Sequence, residues 1–221
     1  MNRRRMMSFS GVALALLVWA GASDAVAAVK LPDPAMDDPL ASGKSQTLVL
    51  AGGCFWGVEE VFRHVRGVTS AVSGYSGGSA RNAEYELVST GTTGHAESVK
   101  ITYDPGKVSL GQLLKVFFSV VHDPTQINRQ GPDIGPQYRS AIFYGTERQQ
   151  QVSKAYIDQL AAAHVFPKAI ATQLVSLNGF YEAEAYHQDF AARNPTHPYI
   201  MQVDKPKFED FKKSFPQLYV K

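Results

Sequence analysis

Residues Ala51 to Phe62 read AGGCFWGVEEVF, and Cys54 within them is the only cysteine of the 221 residues. Phe55, Val58, Phe62 and Val65 recur at helical spacing, so the thiol stands where a helix starts. Unpaired N–H groups and the positive end of the helix dipole favour thiolate there, and the expectation is an ionised, reachable sulfur. The paired glycines Gly52 and Gly53 let backbone and substrate come close. A free cysteine is also often an inert core residue; the glycines, the helix start and the aromatic pair Phe55 and Trp56 favour a nucleophile. Phe55 continues the apolar stripe and reads equally as core, whereas Trp56 falls off it and suits an aromatic wall beside the sulfur. In ESVKITY, strand alternation puts Glu97 on the side of Val99, Ile101 and Tyr103. A carboxyl buried on that face has its pKa raised by desolvation and stays protonated, fit to donate a proton; a strand-end carboxylate in water would not.

These groups need elements to hold them. TLVLA, closed by Gly52-Gly53, reads as a buried strand, then the cysteine helix, then GVTSAVSGYSGG as a second strand. Gly74 to Gly94 reads as a long loop before ESVKITY. Leu110, Leu113, Leu114, Phe117, Phe118 and Val121 form a second helical face with Ser109 as N-cap. The loop His122 to Pro136 leads into the strand QYRSAIFY, and Thr146 to Gln149 is a capping-box pattern opening a third helix to about His164. IATQLVSL reads as a strand and EAEAYHQDFAARN as a short helix. The order implies an α+β, ferredoxin-like split βαβ sandwich with helices on one sheet face, long loops and extra C-terminal helix. Cys54 sits at the first strand-helix junction.

The chain opens with Arg3, Arg4 and Arg5, an apolar run from Gly11 to Ala22 and the small residues Ala25-Val26-Ala27. This is the pattern of a secretory signal peptide, residues 1–27, and the run is short for a membrane span. Export to a bacterial periplasm is expected, with cleavage near Ala27 and the route, general or twin-arginine, left open. Residues 28–45, with LPDPAMDDPLASGK, read as an extended leader that packs little, and 46–221 as a single catalytic domain. Cleavage leaves 19 basic and 19 acidic residues, so no charge field for nucleic acid or a membrane surface is implied. Exported proteins usually pair their cysteines, and a lone thiol there asks for an explanation.

The blocks GGCFWGVEEVF, GYSGG, TGHAESVKITYDP, HDPTQINRQGPDIGPQYRSAIFY and FYEAEAYHQDF resemble, in order from about Thr47 to Asn194, the A-type peptide methionine sulfoxide reductases. The resemblance implies the ferredoxin-like core and reduction of methionine S-sulfoxide, free or in proteins, a role in repair of oxidised protein. It implies Cys54 as nucleophile, Phe55 and Trp56 as walls of the methyl-binding pocket and Glu97 as proton donor to the sulfoxide oxygen. Tyr85 and Tyr138 would donate hydrogen bonds to that oxygen, with Asp133 a polar member of the same site. His187, in the matching YHQDF block, is given no chemical role. No bound cofactor or metal is implied.

Many members carry a resolving cysteine near the C-terminus, and this chain has none; position 89 is a serine. A sulfenic acid on Cys54 would then be reduced by an external thiol system of thioredoxin, glutaredoxin or similar type. The protein is expected to act as a monomer. Residue types alone also allow a hydrolase or acyltransferase pairing Cys54 with His95 or His187 and an acid such as Asp189. They further allow a thiol peroxidase, or a secreted binding module whose cysteine is inert. The lack of a C-x-x-C pair disfavours a thioredoxin-like oxidoreductase.

Overall fold

The computed structural model describes residues 29–221, so the expected signal peptide lies outside the described residues. Strand β1 (Gln46–Gly52) runs into helix α1 (Phe55–Arg63) and strand β2 (Val68–Ser76). After a helical turn, α2 (Tyr85–Val88), come β3 (Ala96–Tyr103) and α3 (Leu110–Val116), which widens into a π-helical turn over Phe117–Val121. The short strands β4 (Arg129–Gln130) and β5 (Asp133–Ile134) form a hairpin of their own. Then follow β6 (Ser140–Tyr144), α4 (Glu147–Ala162), β7 (Gln173–Ser176), β8 (Tyr181–Glu182), α5 (Phe190–Arg193) and α6 (Lys205–Ser214).

The sheet order is β7-β6-β1-β3-β2-β8, so the units β1-α1-β2 and β3-α3-β6 interleave around the adjacent central strands β1 and β3. This is the expected ferredoxin-like split βαβ core. β6 and β7 are parallel and need a crossover, which α4 provides. β1 is buried on both sides, which is why its sequence is a continuous apolar run rather than an alternation. Leu48 and Leu50 join Val99, Ile101, Phe55, Val58, Phe62 and the α3 face in the main core. Val49, Ala51, Ala141 and Phe143 form a smaller layer on the opposite face, covered by Val175, Leu177 and Phe180. Each fully buried large side chain stabilises the fold by roughly 1.5–3 kcal/mol. Among the described residues no helix is long and apolar enough to cross a membrane.

The leader is extended, as expected, but it does not pack little. Leu31 is buried in the main core, and the Tyr156 hydroxyl donates to Pro32 O at 2.9 Å. Asp37 accepts from the Gly111 backbone N–H at 2.9 Å and from the Ser109 hydroxyl, while Arg148 pairs with Asp38. The composition signalled a loop correctly; the partners come from α3 and α4, about 70 to 125 residues away. Three other readings change. QYRSAIFY is strand only from Ser140, because Pro136–Tyr138 form a 3-10 turn. Ser109 and Gln112 complete a reciprocal capping box on α3, but on α4 only the Thr146 half forms: the Gln149 side chain serves Gly145 N and Thr47 O instead. EAEAYHQDFAARN is helical only at Phe190–Arg193, because Asp189 adopts a left-handed φ of 55°.

Asp37→Ala removes two hydrogen bonds that dock the leader on the start of α3. It is expected to lower stability by about 1–2 kcal/mol in urea denaturation with the slope unchanged. An unaltered midpoint would mean that the leader is docked by Leu31 and the ion pairs alone.

Candidate active site

The antiparallel register pairs Leu50 of β1 with Val99 of β3, so two residues further on Gly52 lies beside Glu97. On the other side of β3, Glu97 faces Tyr75 of β2. One sheet end thus collects the start of α1, the buried end of β3 and the end of β2. Glu97 is 3% exposed, and its Oε2 accepts the Phe55 backbone N–H at 3.0 Å. That N–H is one of the orphan donors at the helix start, so a carboxyl from the central sheet satisfies it. Cys54, the residue before the helix, is 7% exposed. Its side chain makes no capping hydrogen bond to the helix it precedes.

The glycines ahead of the cysteine let parts of the protein come close. Gly53 has φ of 93°, and a Cβ there would lie 2.6 Å from Gln130 Cγ. A Cβ on Gly52 would lie 2.9 Å from the Phe117 ring. In α1, Gly57 admits the Asp204 carboxylate, whose Oδ1 would lie 2.1 Å from a Cβ at that position.

Electrostatics divide the two key groups. Burial raises the Glu97 pKa to about 8, the Phe55 N–H and the Cys54 side chain pulling the other way. Its carboxyl is therefore protonated at neutral pH, as the strand parity implied. Cys54 does not meet its expectation. Burial pushes its pKa well above the ordinary thiol value, and the charges of Glu97, Asp204 and Asp133 add to that rise. The helix start and the Trp56 N–H favour thiolate but are outweighed, since a dipole acting from one helix end is worth about 0.3–1 kcal/mol and desolvation of a buried ion several. The resting sulfur is a thiol.

Tyr85, opening α2, is held by its backbone N–H on Glu184 Oε1 at 2.8 Å and packs its ring on His187 at 4.4 Å. Burial, then Glu97 and Cys54, push its pKa up to about 12. Tyr138 ends the 3-10 turn after the β4-β5 hairpin, and the same three causes raise its pKa. Both phenols therefore keep their protons and can donate hydrogen bonds. Asp133 of β5 accepts a hydrogen bond from the Tyr199 hydroxyl, and burial raises its pKa. Phe55 is buried in the main core against Tyr75 and His187, with ring centroids 5.8 and 5.0 Å away. Trp56 is half-buried: Phe190 stacks on it at 3.9 Å, and Tyr199 meets it edge-on at 5.8 Å. Its indole N–H donates to His187 Nδ1 at 3.1 Å.

Neither histidine of the rival hydrolase reading hydrogen-bonds Cys54. The His95 ring engages Gly78 N and Ser79 O, and His187 Nδ1 is taken by Trp56 while its Nε2 lies 4.0 Å from Glu184. Among the described residues no group of three or more His, Cys, Asp or Glu is placed to hold a metal. Sequence reasoning missed Tyr199, which joins Asp133 to the face of Trp56, and Asp204, paired at 3.2 Å with Lys207 beneath α1. An acid three residues before a lysine could have flagged the second pair, but only as a helix-surface contact.

The family model for peptide methionine sulfoxide reductase matches residues 46–219. The chain is 57% identical to the peptide methionine sulfoxide reductase MsrA 2 of Mesorhizobium japonicum, over 83% of this chain and 94% of that protein. It is 54% identical to the protein of the same name from Synechocystis, over 84% and 88%. Methionine sulfoxide reductase A of Corynebacterium diphtheriae superposes with a TM-score of 0.60 at 33% identity, covering 79% of this chain and 90% of that one. Reduced Mxr1 of Saccharomyces cerevisiae gives 0.64 at 32%, covering 70% and 88%.

An acid with a raised pKa is neutral below it and charged only above it. Iodoacetamide is therefore expected to alkylate resting Cys54 more slowly at pH 7 than it does free cysteine, the rate still climbing beyond pH 9. A rate already level by pH 7 would establish a thiolate.

Proposed function

The chain belongs to the peptide methionine sulfoxide reductase family, and on that premise we propose which of its residues carry the reaction. It catalyses the thiol-dependent reduction of methionine S-sulfoxide to methionine. The observation that carries the assignment is the protonated Glu97 carboxyl, bonded to the backbone N–H next to the lone thiol.

Cys54 Sγ attacks the sulfoxide sulfur, Glu97 gives its proton to the sulfoxide oxygen, and the thiol proton refills the carboxyl. No net charge is created in the buried pair, which suits a site that disfavours both the thiolate and the carboxylate at rest. The protonated oxygen then passes to Cys54 as the S–O bond of the substrate and the S–S bond made in the attack both break: the thiol and the sulfoxide become a sulfenic acid and a thioether, the substrate sulfur gaining two electrons and the cysteine sulfur losing two. Tyr85 and Tyr138 stabilise the oxygen as negative charge builds on it, and Asp133 with Tyr199 closes the polar side. Phe55 and Trp56 form the apolar wall for the methyl group. Two equivalents of external thiol return the cysteine, releasing water; the donor is a thioredoxin, a glutaredoxin or a similar system. Residues 1–27 direct export to the periplasm, where residues 46–221 act as one monomeric domain on oxidised proteins or free methionine sulfoxide.

With dithiothreitol as reductant, methionine is expected from the S epimer and not from the R epimer. Glu97→Gln should lower kcat/KM by roughly 10²- to 10⁴-fold. In the parent enzyme kcat/KM should fall as pH rises through about 8, where Glu97 loses its proton, and the Gln variant should lack that limb. An unchanged rate for the variant would move the proton donor elsewhere.

One turnover without reductant should leave one dimedone-reactive sulfenic acid per chain by intact mass, with no loss of two hydrogens. A disulfide between two chains, seen as a doubled mass, would replace the external-thiol step with an intermolecular one.

A further inference from the structure

One face of α1 makes three successive contacts with the turn from His187 to Phe190. Trp56, Glu59 and Arg63 stand at helical positions i, i+3 and i+7, which share a face. Trp56 donates to His187 and stacks on Phe190. Arg63 pairs with the Asp189 carboxylate at 2.6 Å, on the surface, where such a pair is worth at most about 1 kcal/mol. Between them, Glu59 is 1% exposed, accepts the Asp189 backbone N–H on Oε1 at 3.0 Å and takes the Ser73 hydroxyl on Oε2 at 2.7 Å. A carboxyl group in so buried a place opposes folding unless hydrogen bonds satisfy it, and here both oxygens accept one.

The donors explain it. Asp189 stands at φ 55°, so its N–H faces α1 only while the turn keeps that left-handed residue. Gln188 clamps the same turn to β2, accepting Ser73 N at 3.0 Å and donating to Ser73 O at 2.9 Å. Ser73 is therefore held through its backbone by Gln188 and through its hydroxyl by Glu59, Asp189 through its carboxylate by Arg63 and through its N–H by Glu59, and Glu59 is the group that ties both residues to the helix bearing Cys54 and Trp56. We propose that Glu59 is a positioning residue: its carboxyl fixes the His187–Phe190 turn, which in turn fixes the plane of the Trp56 ring beside the nucleophile. Burial pushes Glu59 up to about 7 while its two donors pull its pKa down.

The inference rests on the reading of Trp56 as a wall of the substrate pocket for its effect on catalysis, but not for its effect on the ring. The test uses full-length chain carrying Trp19→Phe, which leaves Trp56 as the only tryptophan. Glu59→Leu keeps the volume and removes both acceptors. Its Trp56 emission is expected to shift to the red, and KM for methionine sulfoxide to rise about tenfold with kcat nearly constant, as lost uniform binding requires. Glu59→Gln can still accept from Asp189 N and donate to the Ser73 hydroxyl, and should restore both readouts. If the Leu variant does not fold, Glu59→Asp, one methylene shorter, is expected to show smaller changes in the same direction. A folded Leu or Asp variant with parental emission overturns the proposal. An emission shift with parental KM upholds the positioning and instead removes Trp56 from the substrate pocket.

Discussion

The hydrogen bond from the Phe55 N–H to Glu97 is the constraint around which this molecule is organised. It joins the first turn of α1 to the central strand β3, and it forms only where the ends of β1 and β3 are neighbours. The interleaved strand order supplies that adjacency. Burial at this junction settles the protonation states: it raises the Glu97 carboxyl against the pull of the Phe55 N–H, so the carboxyl keeps its proton, and the thiol next to it keeps its own. A pair of neutral acids in an apolar site is stable at rest, and in the proposed mechanism it becomes reactive when a substrate oxygen arrives to take a proton.

Everything else at that sheet end is arranged around the buried pair. The loops after β2 and after α3 are long because they bring Tyr85 and Tyr138 to one place from opposite sides of the sheet order, and a phenol whose pKa is raised there keeps the proton that it can donate. Gly52, Gly53 and Gly57 remove side chains so that Phe117, Gln130 and Asp204 can close over the start of α1. This close packing makes the cysteine a protonated thiol. The same enclosure leaves the aromatic face of Trp56 set between Phe190 and Tyr199, an apolar surface lying next to polar hydrogen-bond donors. A sulfoxide, with one strongly polar oxygen and one methyl group, has both halves matched.

The leader and the 187–190 turn show how far sequence order is from spatial order. Leu31 and Asp37 carry no periodicity that marks them as packed, yet they dock on α3 and help hold the helix that borders the core. The turn reads as a helix from its composition, since Glu, Ala and Gln are good helix formers. It is broken by contacts with α1 and β2 that the local sequence does not announce.

Read alone, the chain determines the repertoire: the central strands and the helices α1, α3 and α4, that a single thiol stands at a helix start, and that Glu97 shares a face with buried residues. Those follow from period, parity and capping, which are local. Tertiary structure alone decided whether that thiol is charged, what encloses Trp56 and why Glu59 is buried. Each depends on desolvation and on partners, among them Gln130, Asp189 and Asp204, that lie some 75 to 150 positions away along the chain. A pKa is a property of surroundings, and surroundings exist only once the chain has folded.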